Sequence, residues 1–336
     1  MAAEIRAAAD VLAAQAVRVG AMLPAVVAAI RSIACRHAVT IARGSSDHAA
    51  GYLGYLLMQH GLWATSLPLS IVTLHRAVPR CEGMAAIALS QSGRSPDLVA
   101  ALETLGRSGA LTIAMVNDEG SPLAAAASHL LPLGAGREAS VAATKSCVAQ
   151  FALSARLVAA VSSDRALTVA LDGLPERVSQ AVAVRGWDEC DHAFATVDRL
   201  CVLGRGLGLA VAREVALKLK EVCGIQAEAF SSAEWRHGPM SLLAAGYPVL
   251  IMATGGREEG ELLRLAAELR TLGAEVRLVG RAGQAGVDWS CIAANDARLD
   301  PVCMLVQAYR WVEAMARRRG RDPDRPPYLS KVTETL

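Results

Sequence analysis

The sequence predicts an α/β protein built as two tandem doubly wound units, each a three-layer αβα sandwich around a parallel sheet. Three observations lead there. Short aliphatic runs alternate with longer helix-patterned stretches, the pattern of parallel sheets covered on both faces. Glycine-rich turns close several of those runs. The landmarks also recur at a nearly constant offset: Gly44 to Gly206 is 162 residues, Gly93 to Gly256 is 163 and Gly109 to Gly273 is 164. Three landmarks held in step indicate a duplicated unit.

In chain order, residues 1–34 read as a leading helical segment with no apolar signal region. Residues 35–165 form the first unit, with strands expected at His37–Ala42, Met84–Leu89 and Ala110–Val116. Residues 166–190 read as a helical linker. Residues 191–320 form the second unit, with strands at Leu200–Leu203, Val249–Ala253 and Glu275–Val279. Residues 321–336, rich in Pro and Asp, read as an extended tail. The stretch from Ala227 is expected to be helical through His237, which stands at the helix C-terminus before the Gly238-Pro239 stop, either as a plain cap or as a site imidazole.

Composition narrows the function classes. The 336 residues carry a net charge of +2 and no basic stripe, so neither nucleic acid nor a membrane is an expected partner. The eight cysteines (35, 81, 147, 190, 201, 223, 291 and 303) show no Cys-x-x-Cys spacing. They read as reduced core thiols of a cytoplasmic protein, with no metal site. Only four of the 34 basic residues are lysines: Lys145, Lys218, Lys220 and Lys331. An amine retained in an arginine-rich chain marks a position where a guanidinium would not serve.

Ser90-Gln91-Ser92-Gly93-Arg94-Ser95 lies between a strand and a helix. Glycine lets the backbone approach a ligand, the helix start offers unpaired N–H groups, and the serines and glutamine add neutral donors. The segment reads as a phosphate cradle, or as a plain helix cap by Ser92 or Ser95. Arg43-Gly44-Ser45-Ser46-Asp47-His48 is a second such turn in the same unit. It is neither a Walker loop nor a dinucleotide fingerprint, so no ATP, NAD or other cofactor is expected.

Lys218 and Glu221 share a helix face, either as a surface ion pair or as an acid–base pair on a packed helix. His237 is fixed by the Gly-Pro stop that follows it, with His48 as the next candidate imidazole. Lys331 sits six residues from the end behind Pro326-Pro327, in a tail with enough apolar residues to dock.

Together these segments resemble the SIS (sugar isomerase) domain family, above all the isomerase half of glucosamine-6-phosphate synthase and the SIS-type glucosamine-6-phosphate deaminases. The resemblance covers nearly the whole chain. It is carried by Arg43-Gly44-Ser45-Ser46, Ser90-Gln91-Ser92-Gly93, Ser140-Val141-Ala142-Ala143-Thr144-Lys145, Leu203-Gly204-Arg205-Gly206, Glu214 through Glu221, Ala227-Glu228-Ala229, His237-Gly238-Pro239 and Leu329-Ser330-Lys331-Val332-Thr333.

The resemblance implies that Ser46, Ser90, Gln91, Ser92 and Ser95 hold a sugar phosphate, with Ser95 where the synthase has threonine. It implies that Ser45, Val141 and Ala142 line the sugar pocket. Glu221, helped by Lys218, would move a proton between C1 and C2. His237 would open the sugar ring from a neighbouring subunit of a homodimer, and Lys331 would approach the C2 carbonyl.

Two departures stand out. The chain begins almost directly at the sugar-handling unit, with no N-terminal nucleophilic cysteine, so deamination is the expected direction. Arg94 also replaces an acid beside the cradle. The expected function is therefore a phosphosugar isomerase/deaminase acting on glucosamine 6-phosphate. The alternatives are a deglycase or isomerase of another phosphorylated amino sugar or fructosamine, and a non-catalytic phosphosugar-binding regulator.

Overall fold

The computed structural model describes residues 1–184, 187 and 194–331. Cys190, part of the 166–190 linker, and Val332 and Thr333 lie outside the described residues. Two parallel five-stranded sheets form, each flanked by helices. The first has the order β2-β1-β3-β4-β5: β1 is His37–Ile41, β2 Trp63–Ser66, β3 Met84–Ser90, β4 Leu111–Val116 and β5 His129–Pro132. The second has the order β10-β9-β8-β6-β7: β6 is Arg199–Gly204, β7 Gln226–Ser231, β8 Pro248–Met252, β9 Glu275–Arg281 and β10 Trp289–Cys291. From β7 across to β10, the second sheet repeats the order of the first. Both are doubly wound sheets whose direction of winding reverses next to the first strand, where such folds bind ligands beyond the strand carboxyl ends.

The six aliphatic strands expected from sequence are present, with ends shifted by one to two residues. Four strands at or near the sheet edges were not anticipated: β2, β5, β7 and β10. The helix expected from Ala227 through His237 is corrected. Gln226–Ser231 is a strand, paired in parallel with β6, and only Ser232–Arg236 is helical. Burial decides this. Ala227 is fully buried against the neighbouring strand, while Gln226 and Glu228 project outward, a period of two.

Contacts divide the described chain into two compact units. One holds Asp10–Glu138, Lys145–Asp172, Ser330 and Lys331, and carries the first sheet. Its core packs Ile41, Ala88, Ala114 and Val116 against Leu98, Leu102 and Leu105. Helix Lys145–Ser162 is buried along almost its whole length, as a core helix must be. The other unit holds Met1–Ala9, Ala139–Thr144 and the described part of Gly173–Leu329. Its core packs Leu203, Val249, Ile251 and Leu278 against Leu262, Leu265 and Leu269.

Among the described residues no single helix is long and apolar enough to cross a membrane. The pair Ala8–Gly20 and Leu23–Ser32, bent by 56°, reaches that length and composition only when taken together. Gln15 of this pair is buried and donates to the carbonyls of Leu133 and Ala149, so the pair is bound into its own unit. The seven described cysteines are free thiols.

Candidate active site

In the first unit two turns stand at the carboxyl ends of the adjacent strands β1 and β3, which pair in parallel from His37↔Met84 to Ile41↔Ala88. After β1 the chain turns at Gly44, with φ 56° and ψ −132°, directly into helix Ser45–Gln59. Only glycine adopts that conformation readily. A Cβ built on Gly44 meets nothing within 4 Å, so the space before this turn is open. Ser45, Ser46 and His48 are half-buried in the first helical turn.

After β3, the hydroxyl of buried Ser90 accepts from the Gly93 N–H at 2.9 Å and folds the cradle back on itself. Gly93 has φ 64°, and a Cβ there would lie 2.1 Å from the Ser121 hydroxyl. The turn therefore requires glycine. Gln91, Ser92 and Ser95 are half-buried around it. Ser95 stands at the N-cap of helix Pro96–Arg107 but makes no side-chain cap hydrogen bond. The Ser92 hydroxyl accepts from the Arg94 N–H at 3.3 Å, a turn contact. Neither serine caps the helix through its hydroxyl, so the plain-cap reading does not describe this loop.

Two residues that sequence reasoning did not single out, Gln150 and Asp97, brace the cradle. Gln150, buried in helix Lys145–Ser162, donates its amide to the Ser46 hydroxyl oxygen at 2.9 Å. With that oxygen accepting from Gln150, the Ser46 O–H keeps its proton as a donor. Arg43 donates from Nε to the fully buried carboxylate of Asp97 at 3.0 Å, linking the two turns. These partners lie 104 and 54 residues apart in sequence, beyond any local spacing rule. Arg94 is half-exposed and pairs with Asp118 at 2.7 Å.

Also in this unit, Lys331 donates to Glu138 at 3.1 Å. The Glu138 side chain is fully buried, and it also accepts from the Ser146 hydroxyl at 2.6 Å and the Ser146 N–H at 3.2 Å. The tail lysine is thus docked. Lys145 Nζ donates to the carbonyl of Arg137 at 2.7 Å, holding the same loop.

In the second unit, helix Leu207–Lys218 runs on into a π turn, Leu219–Cys223, which Gly224 ends in the left-handed conformation. Lys218 is 1% exposed. Its ammonium lies 3.5 Å from the buried Glu214 carboxylate and 2.5 Å from Glu221, and the Tyr309 hydroxyl donates to Glu214 at 2.9 Å. A surface ion pair is therefore excluded for Lys218–Glu221. Glu221, 21% exposed, is the end of this series that reaches solvent. Glu214 precedes Lys218 by four residues, a spacing that could have flagged it.

The helix starts at the Gly206 turn, so Glu221 sits about 20 Å down its axis, at the amino ends of β6 and β7. His237 follows helix Ser232–Arg236, which is anchored by the fully buried Trp235. The His237 side chain is exposed. Val141 and Ala142 lie in the segment Ala139–Thr144, where the Val141 N–H donates to the Asp324 carbonyl and the Ser140 N–H to Glu4.

A family model for the SIS domain matches residues 33–160 and 193–283. The chain belongs to the SIS-domain family. The glutamine–fructose-6-phosphate aminotransferase (isomerizing) of Halobacterium salinarum is 32% identical over 312 residues, covering 87% of this chain and 50% of the relative. This SIS chain thus spans about half the length of the curated relatives it matches. A structure described as a candidate phosphosugar isomerase from Silicibacter pomeroyi DSS-3 superposes with a TM-score of 0.88 at 36% identity, covering 96% of this chain and 99% of the other. The glucosamine-6-phosphate deaminase of Thermotoga maritima shares the fold, with a TM-score of 0.75 at 24% identity and coverage of 98% and 99%.

Proposed function

We propose that this SIS protein is a phosphosugar isomerase that deaminates glucosamine 6-phosphate. The observation that carries the reading is the pair of turns after β1 and β3, with open space before Gly44 and the Ser46 oxygen held by the Gln150 amide. In this reading Ser46, Ser90, Gln91, Ser92 and Ser95 hold the phosphate, with backbone N–H groups of the helix starts behind them. Ser45, Val141 and Ala142 line the sugar.

His237, from the partner subunit of a homodimer, assists ring opening, which exposes the C1 aldehyde. The carbonyl acidifies the C2 proton. Glu221 takes that proton and returns it to C1, leaving an imine at C2. Water adds to the imine, so that glucosamine 6-phosphate and water become fructose 6-phosphate and ammonia. Lys218 holds Glu221 in place, and Lys331 leaves Glu138 to approach C2. Free thiols suit a reducing, cytoplasmic compartment.

The test is ammonia release and ketose phosphate formation from glucosamine 6-phosphate, by wild type and Glu221→Gln. A loss of about 10²–10⁴-fold is expected for removal of one general base. Equal rates would take Glu221 out of its role. Galactosamine 6-phosphate and a fructosamine phosphate, run in parallel, decide the substrate. A preference for either would redirect the reading to a deglycase or another isomerase. Binding without turnover of any of them would make the chain a phosphosugar sensor.

A further inference from the structure

The second sheet has its own switch-point cradle, between β6 and β8. We infer that this second cradle is closed by an internal carboxylate, Glu258, which sits where an anion would sit. The first observation is conformational. Gly206 has φ 55° and ψ −128°, within a few degrees of Gly44, and each glycine opens directly into a helix. The second is positional. At the 163-residue offset relating Gly93 to Gly256, Glu258 stands in the place of Ser95. Both occupy the N-cap position of the helix that follows.

The third observation decides the matter. A Cβ on Gly44 meets open space, whereas one on Gly206 would lie 2.7 Å from Glu258 Oε1. One on Gly256 would lie 2.7 Å from Glu258 Oε2. The carboxylate is wedged between the two turns and accepts from the Thr254 hydroxyl at 3.3 Å. The donor set has gone as well: Ala253, Thr254 and Gly255 stand where the first cradle has Ser90, Gln91 and Ser92. Helix starts and their N–H groups favour negative charge, and here two side chains supply it: Glu258 lies against the two glycines, and the Asp300 carboxylate accepts from the Gly255 N–H at 2.9 Å. The duplicated fold therefore offers one open cradle per chain.

Inorganic phosphate is the probe. Phosphate bound per chain at saturation is counted by equilibrium dialysis for wild type, Glu258→Ser and Glu258→Gln. The serine variant is expected to bind one phosphate more than wild type. The glutamine variant, which fills the same space, is expected to bind no more than wild type. Because the count is a difference, it holds whatever the first cradle binds. An unchanged count in a folded serine variant, or an extra phosphate in the glutamine variant, overturns the inference. Glu258→Ala replaces the serine variant if that one does not fold. Crystals of wild type grown in phosphate give an independent reading: an anion over Gly206 overturns the inference, and the carboxylate alone there supports it.

Discussion

Replacing Lys218 with methionine tests whether the Tyr309–Glu214–Lys218–Glu221 series is a buried unit. Lys218 and Glu214 are 1% and 0% exposed and 3.5 Å apart. At an effective dielectric constant of about 20, that separation corresponds to an attraction of about 5 kcal/mol; in bulk water it would be about 1 kcal/mol. Burial selects the larger figure. Methionine fills most of the same space without the charge or its N–H donors, leaving the Glu214 carboxylate in the interior with the Lys218 cation gone. Breaking a buried pair from one side costs about 3–5 kcal/mol. Urea unfolding of Lys218→Met, Glu214→Gln and the double variant forms the cycle. Lys218→Met should lose about 3–5 kcal/mol. The double variant should recover about 2 kcal/mol relative to the sum of the singles, because the orphaned charge is removed with its partner. A loss below about 1 kcal/mol, the range of exposed pairs, would refute the reasoning, and so would simple additivity.

Other expectations follow from the same structure. Gly93→Ala places a Cβ 2.1 Å from the Ser121 hydroxyl at φ 64°, so it should cost at least about 2 kcal/mol, read as a lower melting temperature. Gln150→Leu should weaken phosphosugar binding by roughly tenfold through loss of one positioned hydroxyl, measured by titration against wild type. Burial pushes the thiols of Cys223 and Cys303 up to about 12, and Cys201 and Cys291 are raised as well. In the unfolded chain these thiols ionise near 9, while the folded chain keeps their protons. Stability is therefore full below pH 9 and falls as pH rises from 9 toward 12. About 1.4 kcal/mol per such cysteine should be gone by pH 10, and denaturant midpoints at pH 8 and pH 10 check the sign.

What the sequence disclosed was local. Runs such as Met84–Leu89 followed by Gly93 announce a strand, a turn and a helix within a dozen residues, and the repeated offsets announce the duplication. β7 was misread because Ala227-Glu228-Ala229 favours a helix by propensity, whereas pairing with β6 overrides that preference. Trp63–Ser66 was missed because it is short and mostly exposed, with little alternation to read. Within the candidate site, the cradle residues and the Lys218–Glu221 spacing were visible. Their supports were not: Gln150 reaches Ser46 across 104 residues, and Tyr309 reaches Glu214 across 95. Contacts of that kind exist only once helices have packed.

The π turn Leu219–Cys223 sets a constraint on how this segment can change length. A widened turn is what remains when one residue is added to an α-helix without unravelling it. Removing one residue there would restore ordinary winding and leave the segments on either side in register, so a one-residue change in length is absorbed within the turn itself. Within the turn Leu219, Val222 and Cys223 are buried and Glu221 faces the Lys218 ammonium, so the residue that can be lost at least cost is the outward-facing Lys220. The constraint on length falls instead on the regular winding of Leu207–Lys218, where one residue more or fewer would rotate all that follows by about 100°.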